Sequence, residues 1–572
     1  MAKLKTSQLN KLIDAYLDIA DEKLSDGDVI GGMVMIHNAL RKNHNDKDAL
    51  MMLADAYADC NMHELAVNAW FRFLSVCNED EKCQAYGGLG LNYYCLGKNF
   101  ISAYYMNKQV LSGGIDDEDS DSFADFAEEV LSPFREKRGF AFADDLKKEK
   151  EREKIAVMHK DVLCGDIDGV LAKFDDFDEN SEYYADALNE VALAYMFSNE
   201  TEQALKYTKK SLELNPHGFD ALCNASVLYY YSGDDLKSAT YASLAEKEIG
   251  NDENRTFRLA SSFCEQRKFE KAEKYLVKML DYTPYDVSLY YLLAITYYNL
   301  CKFEDAVKYF RKIIQLTDDK RVAGYYLNLA SNEAKKKDRA KKTALLSYTF
   351  QVPAEERKRL LKLIDEVLAG KVEMTEKDAD YLNDALDWCF STKDDEVERA
   401  AGALIASCAS EKKTQTLNDL LLDAFLFDST KKVMIKALAL RGYNRKIKFV
   451  YSNIYREIKI KRLSFFRNDD DLSLNTLEGY AIALSEVAPL MTGDCNAFSS
   501  IAEDVYYKLL TVYNGKKAPF SPECIGAYIA ITANGDRFTD EVANVCADFG
   551  CKAEDYARLL SIINGERNEE NS

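Results

Sequence analysis

The chain is short of helix breakers: seven prolines in 572 residues leave few places where a helix must end. A turn-rich sandwich or barrel is excluded on that ground, and abundant Tyr, Ala, Leu and Lys favour helices. Histidine is scarcer still, and none of the five has a partner at metal-binding or catalytic spacing. His63-Glu64 lacks the second histidine of a helical zinc site, and His37, His44, His159 and His217 stand alone. The fourteen cysteines include no CxxC pair, so neither a zinc site nor a disulfide framework follows. Cys223, Cys264 and Cys301 read instead as small apolar packers. No apolar run is long enough to span a bilayer, and Met1-Ala2-Lys3-Leu4-Lys5 leads straight into an amphipathic helix without a signal-type core. A reducing cytoplasm is the expected compartment, with no membrane as partner.

Catalytic signatures are missing too. No GxSxG occurs, and Gly87-Gly88-Leu89-Gly90 is followed by no Gly-Lys-Ser/Thr, so its glycines read as close-packing positions within a helix. The acidic run of Asp116, Asp117, Glu118, Asp119 and Asp121 lacks the ligand alternation and central glycine of a calcium loop, as do Asp166-Ile167-Asp168-Gly169 and Asp175-Asp176. With 96 acidic residues, paired carboxylates carry no information about acid-base chemistry. No cofactor, metal or enzymatic activity is expected.

What the chain has is a period. Ala204, Ser238, Ala272 and Ala306 stand 34 residues apart. In the same phase come large residues (Leu188, Leu222, Tyr290), small ones four positions on (Ala192, Ser226, Ala260, Ala294), and aromatics three beyond those (Tyr195, Tyr229, Phe263, Tyr297). Pro216 and Pro284 close two of the units. The pattern resembles the tetratricopeptide repeat in period, small and aromatic positions and terminal proline. The small residues let two antiparallel helices approach, and the aromatic of one repeat is expected to fill the space beside the next. The phase extends back through Val157, Gly165, Val170, Phe174 and Phe177. Forwards it reaches Leu327, Ala340, Ala344 and Ser347, a capping unit. Nearer the N-terminus, Leu50, Leu53, Ala54, Tyr57, Ala66 and Trp70 make one repeat, Tyr86, Leu89, Gly90, Tyr93 and Gly97 a second, and Ile19, Ala20, Gly32, Ile36 and Ala39 a poorer first unit.

The expected fold is therefore all-α. A repeat solenoid in two blocks, 8–112 and 149–350, is joined by an acidic linker at 113–148 holding a short helix around Phe123 to Leu131. A helical domain follows at 354–442, then a basic β-hairpin within 443–467 and a helical bundle at 473–565. The hairpin is read from the alternation in Lys446 to Tyr451 and Glu457 to Lys461, with Ser452-Asn453 as the turn. Within the bundle, Ser521-Pro522-Glu523 to Ala530, then Glu541-Val542-Ala543 to Cys551 and Tyr556 to Leu560, resemble the cyclin box of general transcription factor B. Glu554 and Asp555 depart from that family, standing where a DNA-reading helix is usually basic.

The resemblance to tetratricopeptide repeats implies an adaptor that binds a protein or peptide partner in a groove lined by the first helix of each repeat. Those positions hold Leu193, Met196, Phe197, Val227, Tyr230, Tyr231, Phe257, Ser261, Tyr291, Ile295 and Tyr298, an aromatic groove. Chaperone-binding members clamp a C-terminal carboxylate with Lys, Asn and Arg. Asn189, Cys223, Val227, Phe257 and Ser261 stand here instead and do not make that clamp. The groove's occupant is open between another protein and the chain's own linker or C-terminal region. The net charge of −22 argues against a nucleic-acid coat, yet residues 431–467 hold twelve Lys or Arg against the single acid Glu457. Lys446, Lys448, Arg456, Lys459, Lys461 and Arg462, interleaved with Tyr443, Phe449, Tyr451, Tyr455, Phe465 and Phe466, are the candidates for gripping an anion or a nucleic acid. The alternatives are an acidic protein surface or a solvated hairpin.

Overall fold

The computed structural model describes residues 6–112, 344–348, 354–371, 375–391, 394–408, 411–466, 468, 470–487, 496–513, 519–534 and 542–565. It also describes 151–336 apart from 152, 153, 156, 160, 163–165, 176, 251, 319 and 321. The acidic run, the helix expected at Phe123 to Leu131, Gly165 and Ala340 lie outside the described residues. Two compact units separate by their internal contacts, 1–352 with 391–393 and 353–390 with 394–572.

The first unit is a series of helix hairpins. Its helices are α1 (Thr6–Ser25), α2 (Val29–Lys42), α3 (Lys47–Asp59), α4 (His63–Val76), α5 (Lys82–Cys95) and α6 (Asn99–Leu111), then α7 (Ile167–Asp175), α8 (Tyr184–Phe197) and α9 (Thr201–Leu214). They continue with α10 (Phe219–Tyr231), α11 (Asp235–Glu248), α12 (Glu253–Glu265), α13 (Phe269–Met279), α14 (Val287–Asn299), α15 (Phe303–Thr317) and α16 (Val322–Ala334). Asp46, Asp252 and Asp286 start α3, α12 and α14 by accepting backbone N–H bonds in the first turn. Each hairpin then turns on a left-handed residue. Asn199, Gly233, Arg267 and Cys301, again 34 apart, have φ of 61°, 78°, 55° and 58°. Arg267 and Cys301 carry a Cβ into a conformation that favours glycine or asparagine.

The small positions are where the helices cross: Ala192, Ser226, Ala260, Ala294, Ala204, Ser238, Ala272 and Ala306 are all buried. The glycines of α5 serve the same purpose, since a Cβ at Gly88 would fall 2.1 Å from the Trp70 ring. The aromatics behave differently from the expectation. Each stacks inside its own repeat, on a tyrosine twelve residues later: Tyr195 on Tyr207, Tyr229 on Tyr241, Phe263 on Tyr275 and Tyr297 on Tyr309, with centroids 5.4–5.8 Å apart. Tyr93 on Tyr105 repeats the pair in the first block. The ring at the end of the first helix thus staples the hairpin, because the partner position on the second helix is also aromatic. Each such pair contributes about 0.5–1.5 kcal/mol beyond its buried area. Lys237, Lys271 and Lys302 lie over three of these rings.

One other expectation is corrected. Residues 344–347 form no capping helix; Leu346 lies instead against Asn299 at the end of α14. The two blocks also meet through the C-terminal end of α15. Its orphan carbonyl at Leu316 accepts from His37 Nε2 (2.8 Å) and Tyr57 OH (3.3 Å), while Arg41 forks onto the Asp318 carboxylate. A cavity of about 220 Å³ remains there, between α2, α3, α4 and Thr317.

The second unit holds α17 (Ala354–Leu368), α18 (Glu376–Cys389), α19 (Asp395–Cys408), α20 (Glu411–Leu422), α21 (Asp428–Leu440), β1 (Lys446–Tyr451), β2 (Ile454–Lys459), α22 (Asp471–Val487), α23 (Asn496–Tyr513), α24 (Pro522–Asn534), α25 (Val542–Asp548) and α26 (Ala553–Ile563). The fold is all-α apart from this one antiparallel pair among the described residues. Ser452 and Asn453 form the turn with φ of 49° and 62°, the left-handed pair that matches strand twist. The second strand starts at Ile454, three residues before the alternation suggested, because Tyr451 and Ile454 already pair. Ile447, Phe449, Ile458 and Ile460 face a core shared with α20 to α24.

Candidate functional site

The first helices of the repeats, α8, α10, α12 and α14, carry the expected groove residues, and the structure divides them. Val227, Ile295 and Tyr298 are buried, so these three are packing residues and not an open lining. Tyr298 meets Phe303 edge-on at 5.2 Å, and half-buried Tyr291 does the same with Phe310 and Tyr326. The reason is steric: α15 and α16 close over this end of the row. Leu193, Met196, Tyr230, Phe257 and Ser261 are half-exposed. Phe197 and Tyr231 are exposed at 51% and 55%, the large aromatics of this row most open to solvent.

The same row also carries polar residues, which an apolar pattern does not pick out. Asp186 and Asp220 occupy one register position, Glu190, Asn224 and Arg258 another. Arg258 donates to the Asn224 side chain and lies 3.6 Å from Asp220, while His159 is hydrogen-bonded to Glu190 at 3.0 Å. Partial burial, with Asp220 and Glu190 nearby, raises the Asp186 carboxyl above its usual range; Glu190 as partner raises His159 despite its desolvation. The signal that would have found these residues was the 34-residue spacing itself, applied to charged residues as well as apolar ones.

A further register position runs Phe197, Tyr231, Glu265, Asn299. Tyr231 OH donates to Glu265 Oε2 at 2.8 Å. Asn299 is engaged by the chain itself. Its Nδ2 donates to the Leu346 carbonyl (3.0 Å) and its Oδ1 accepts the Leu346 N–H (2.8 Å). Two residues on, the Tyr348 hydroxyl lies 3.0 Å from Thr296 Oγ1 and its ring 6.4 Å from Phe269. Burial pushes the Tyr348 phenol and the neighbouring Cys264 thiol up, keeping both neutral. At the C-terminal end of α14, Asn299 is thus held by residues 344–348 of the same chain.

The basic island is largely paired within its own unit. Lys431, counted among the twelve, is fully buried beside Asp428 at the α19–α21 contact. Lys432 reaches Glu486 at 2.5 Å, Lys436 reaches Glu478 at 3.5 Å, and Lys446 and Lys448 share Glu457, whose carboxyl is held below its usual range by Lys446 and Tyr455 against its burial. Arg441 lies over Tyr443 and Arg462 over Phe466. Of the six candidate anion ligands, Lys446, Lys459 and Arg462 are exposed, and Lys448, Arg456 and Lys461 half-buried. The aromatics Phe449 and Phe465 are buried and cannot stack on a base.

Among the described residues no group of three metal-ligating side chains converges, and no helix is long and apolar enough to cross a membrane.

No curated protein matches the sequence. Among solved structures, yeast Tom70 aligns at 12% identity over 97% of this chain and 96% of that one, with a TM-score of 0.22. The Cut9–Hcn1 assembly of the APC/C aligns at 12% over 76% and 98% (TM-score 0.28), and a tetratricopeptide repeat protein from Parabacteroides merdae at 15% over 56% and 100% (TM-score 0.23). Two models of the tetratricopeptide repeat match, one at residues 185–217 and one at 287–320, and neither touches the segment likened to a cyclin box. Those two stretches correspond to α8–α9 and α14–α15, so the chain carries tetratricopeptide repeats there.

Proposed function

We propose that the protein is a non-enzymatic scaffold whose repeats at 149–350 bind a protein or peptide partner along the first helices α8, α10 and α12. The single observation that carries this reading is the open aromatic pair Phe197 and Tyr231, one repeat apart on one register line, flanked by half-exposed Leu193, Met196 and Tyr230. Large aromatics left in solvent at regular spacing cost the free chain and return that cost when covered, which is how interface anchors behave. The block at 8–112 and the helical, hairpin and bundle regions from 354 onward are read as separate modules of the same scaffold.

The alternative, nucleic-acid binding through the hairpin, has less support, since Glu457, Glu478 and Glu486 already occupy much of its charge.

The test is affinity capture from cell extract with the parent chain and with Phe197→Asp/Tyr231→Asp, quantified by mass spectrometry. Proteins held by the parent and lost from the variant support the reading. An identical set on both, or none on either, refutes it.

A further inference from the structure

We propose that the site around Asn299 is a docking site for an extended peptide, and that residues 344–348 are its built-in competitor. This rests on the reading of the first unit as a peptide-binding scaffold and names the site and the peptide chemistry.

Three observations carry it. Asn299 bonds both main-chain groups of one residue, the Leu346 N–H at 2.8 Å and its carbonyl at 3.0 Å. A side-chain amide used that way reads an extended backbone and not a particular side chain, as an added strand would. From Leu345 to Tyr348 burial alternates: Leu345 and Ser347 are exposed, Leu346 and Tyr348 half-buried. The segment thus lies on the surface as a ligand does, with every second side chain held. Lastly, the pocket that takes Tyr348 is polar at its base. Thr296 Oγ1 meets the phenol at 3.0 Å, and Phe269 flanks the ring. The favoured peptide carries an apolar residue at the clamped position and a tyrosine two places after it.

The segment is held by the amide clamp on Leu346, by the Tyr348 hydroxyl and ring, and by Ser347. It prevails because it is tethered to α16 and so acts at high effective concentration. The register line of Asn299 continues through Glu265 to exposed Tyr231 and Phe197, side chains open to a longer partner peptide. A partner therefore displaces the segment by reaching further along the same line.

The test uses the full chain and a fluorescein-labelled peptide spanning residues 341–351, followed by anisotropy. Tyr348→Ala opens the site. Leu346→Pro opens it independently by removing the N–H given to Asn299. Both should bind the peptide at least about tenfold more tightly than the parent, because the tethered competitor is weakened. Asn299→Ala added to either should abolish the gain. Equal binding to parent and opened chains, binding undiminished by Asn299→Ala, or no binding to any chain overturns the proposal. Circular dichroism on each variant confirms that it is folded. Loss of this proposal leaves the capture experiment on Phe197 and Tyr231 unaffected, so the two readings fail separately.

Discussion

Acid should loosen the joint between the two repeat blocks, and His37 is the group that makes it do so. The imidazole is only 6% exposed, with Nε2 at 2.8 Å from the Leu316 carbonyl, so the neutral ring must carry its proton on Nε2 to donate there. Its burial pushes the pKa below the usual histidine value; Arg41 and Arg72 add to this, and the Leu316 bond and Asp318 oppose it. In the unfolded chain the ring titrates near about 6.5. The folded pKa lies lower, so the unfolded chain takes the proton first. Stability is full above about pH 6.5 and falls below it by up to about 1.4 kcal/mol per pH unit until the folded pKa is reached. Between pH 7.5 and 5 the loss is then up to about 2 kcal/mol. His37→Gln is neutral throughout and long enough to offer an N–H to Leu316. Urea unfolding of both proteins at the two pH values, followed by far-UV circular dichroism, isolates the effect, because carboxylates common to both cancel in the difference. The parent should lose more stability on acidification than the variant, by up to about 2 kcal/mol. Equal losses would refute the assignment of the joint to a neutral His37.

Ala272 is fully buried where α12 and α13 cross, so Ala272→Leu should cost about 1–3 kcal/mol in denaturant unfolding and broaden the transition as neighbouring repeats lose their support; a neutral result would mean that the crossing tolerates bulk. The hairpin should leave RNA and DNA unbound at low salt, given its internal pairing. Salt-sensitive binding that disappears in Lys448→Glu/Lys459→Glu/Lys461→Glu would restore the nucleic-acid reading.

The repeats were legible because their packing demands recur. A helix crossing that admits only Ala or Ser at Ala204, Ser238, Ala272 and Ala306 writes the same residue type every 34 positions. The hairpin turn was legible for a similar local reason, two residues able to adopt positive φ at Ser452 and Asn453. The second ring of each stack, Tyr207, Tyr241, Tyr275 and Tyr309, obeys the same period and was readable had the second helix been searched for aromatics. The contacts that shape the site have no such period. Asn299 and Leu346 are 47 residues apart, His37 and Leu316 are 279 apart, and each pairing occurs once. The basic island misled for another reason. Counting charges along the sequence ignores acids brought in from Glu478 and Glu486, and a lysine such as Lys431 with no exposed surface.

A row of repeats that touch only their neighbours peels from its ends, since each outermost hairpin has lost one of the two surfaces that support it. The seat of Leu316 and Asp318 against His37, Tyr57 and Arg41 gives α15 a partner far back along the chain. Tension applied to the chain near residue 318 is therefore carried by α2 and α3 as well as by the adjoining hairpin. In mechanical terms the first unit is a zip fitted with a clasp, and the clasp must open before the teeth beneath it part.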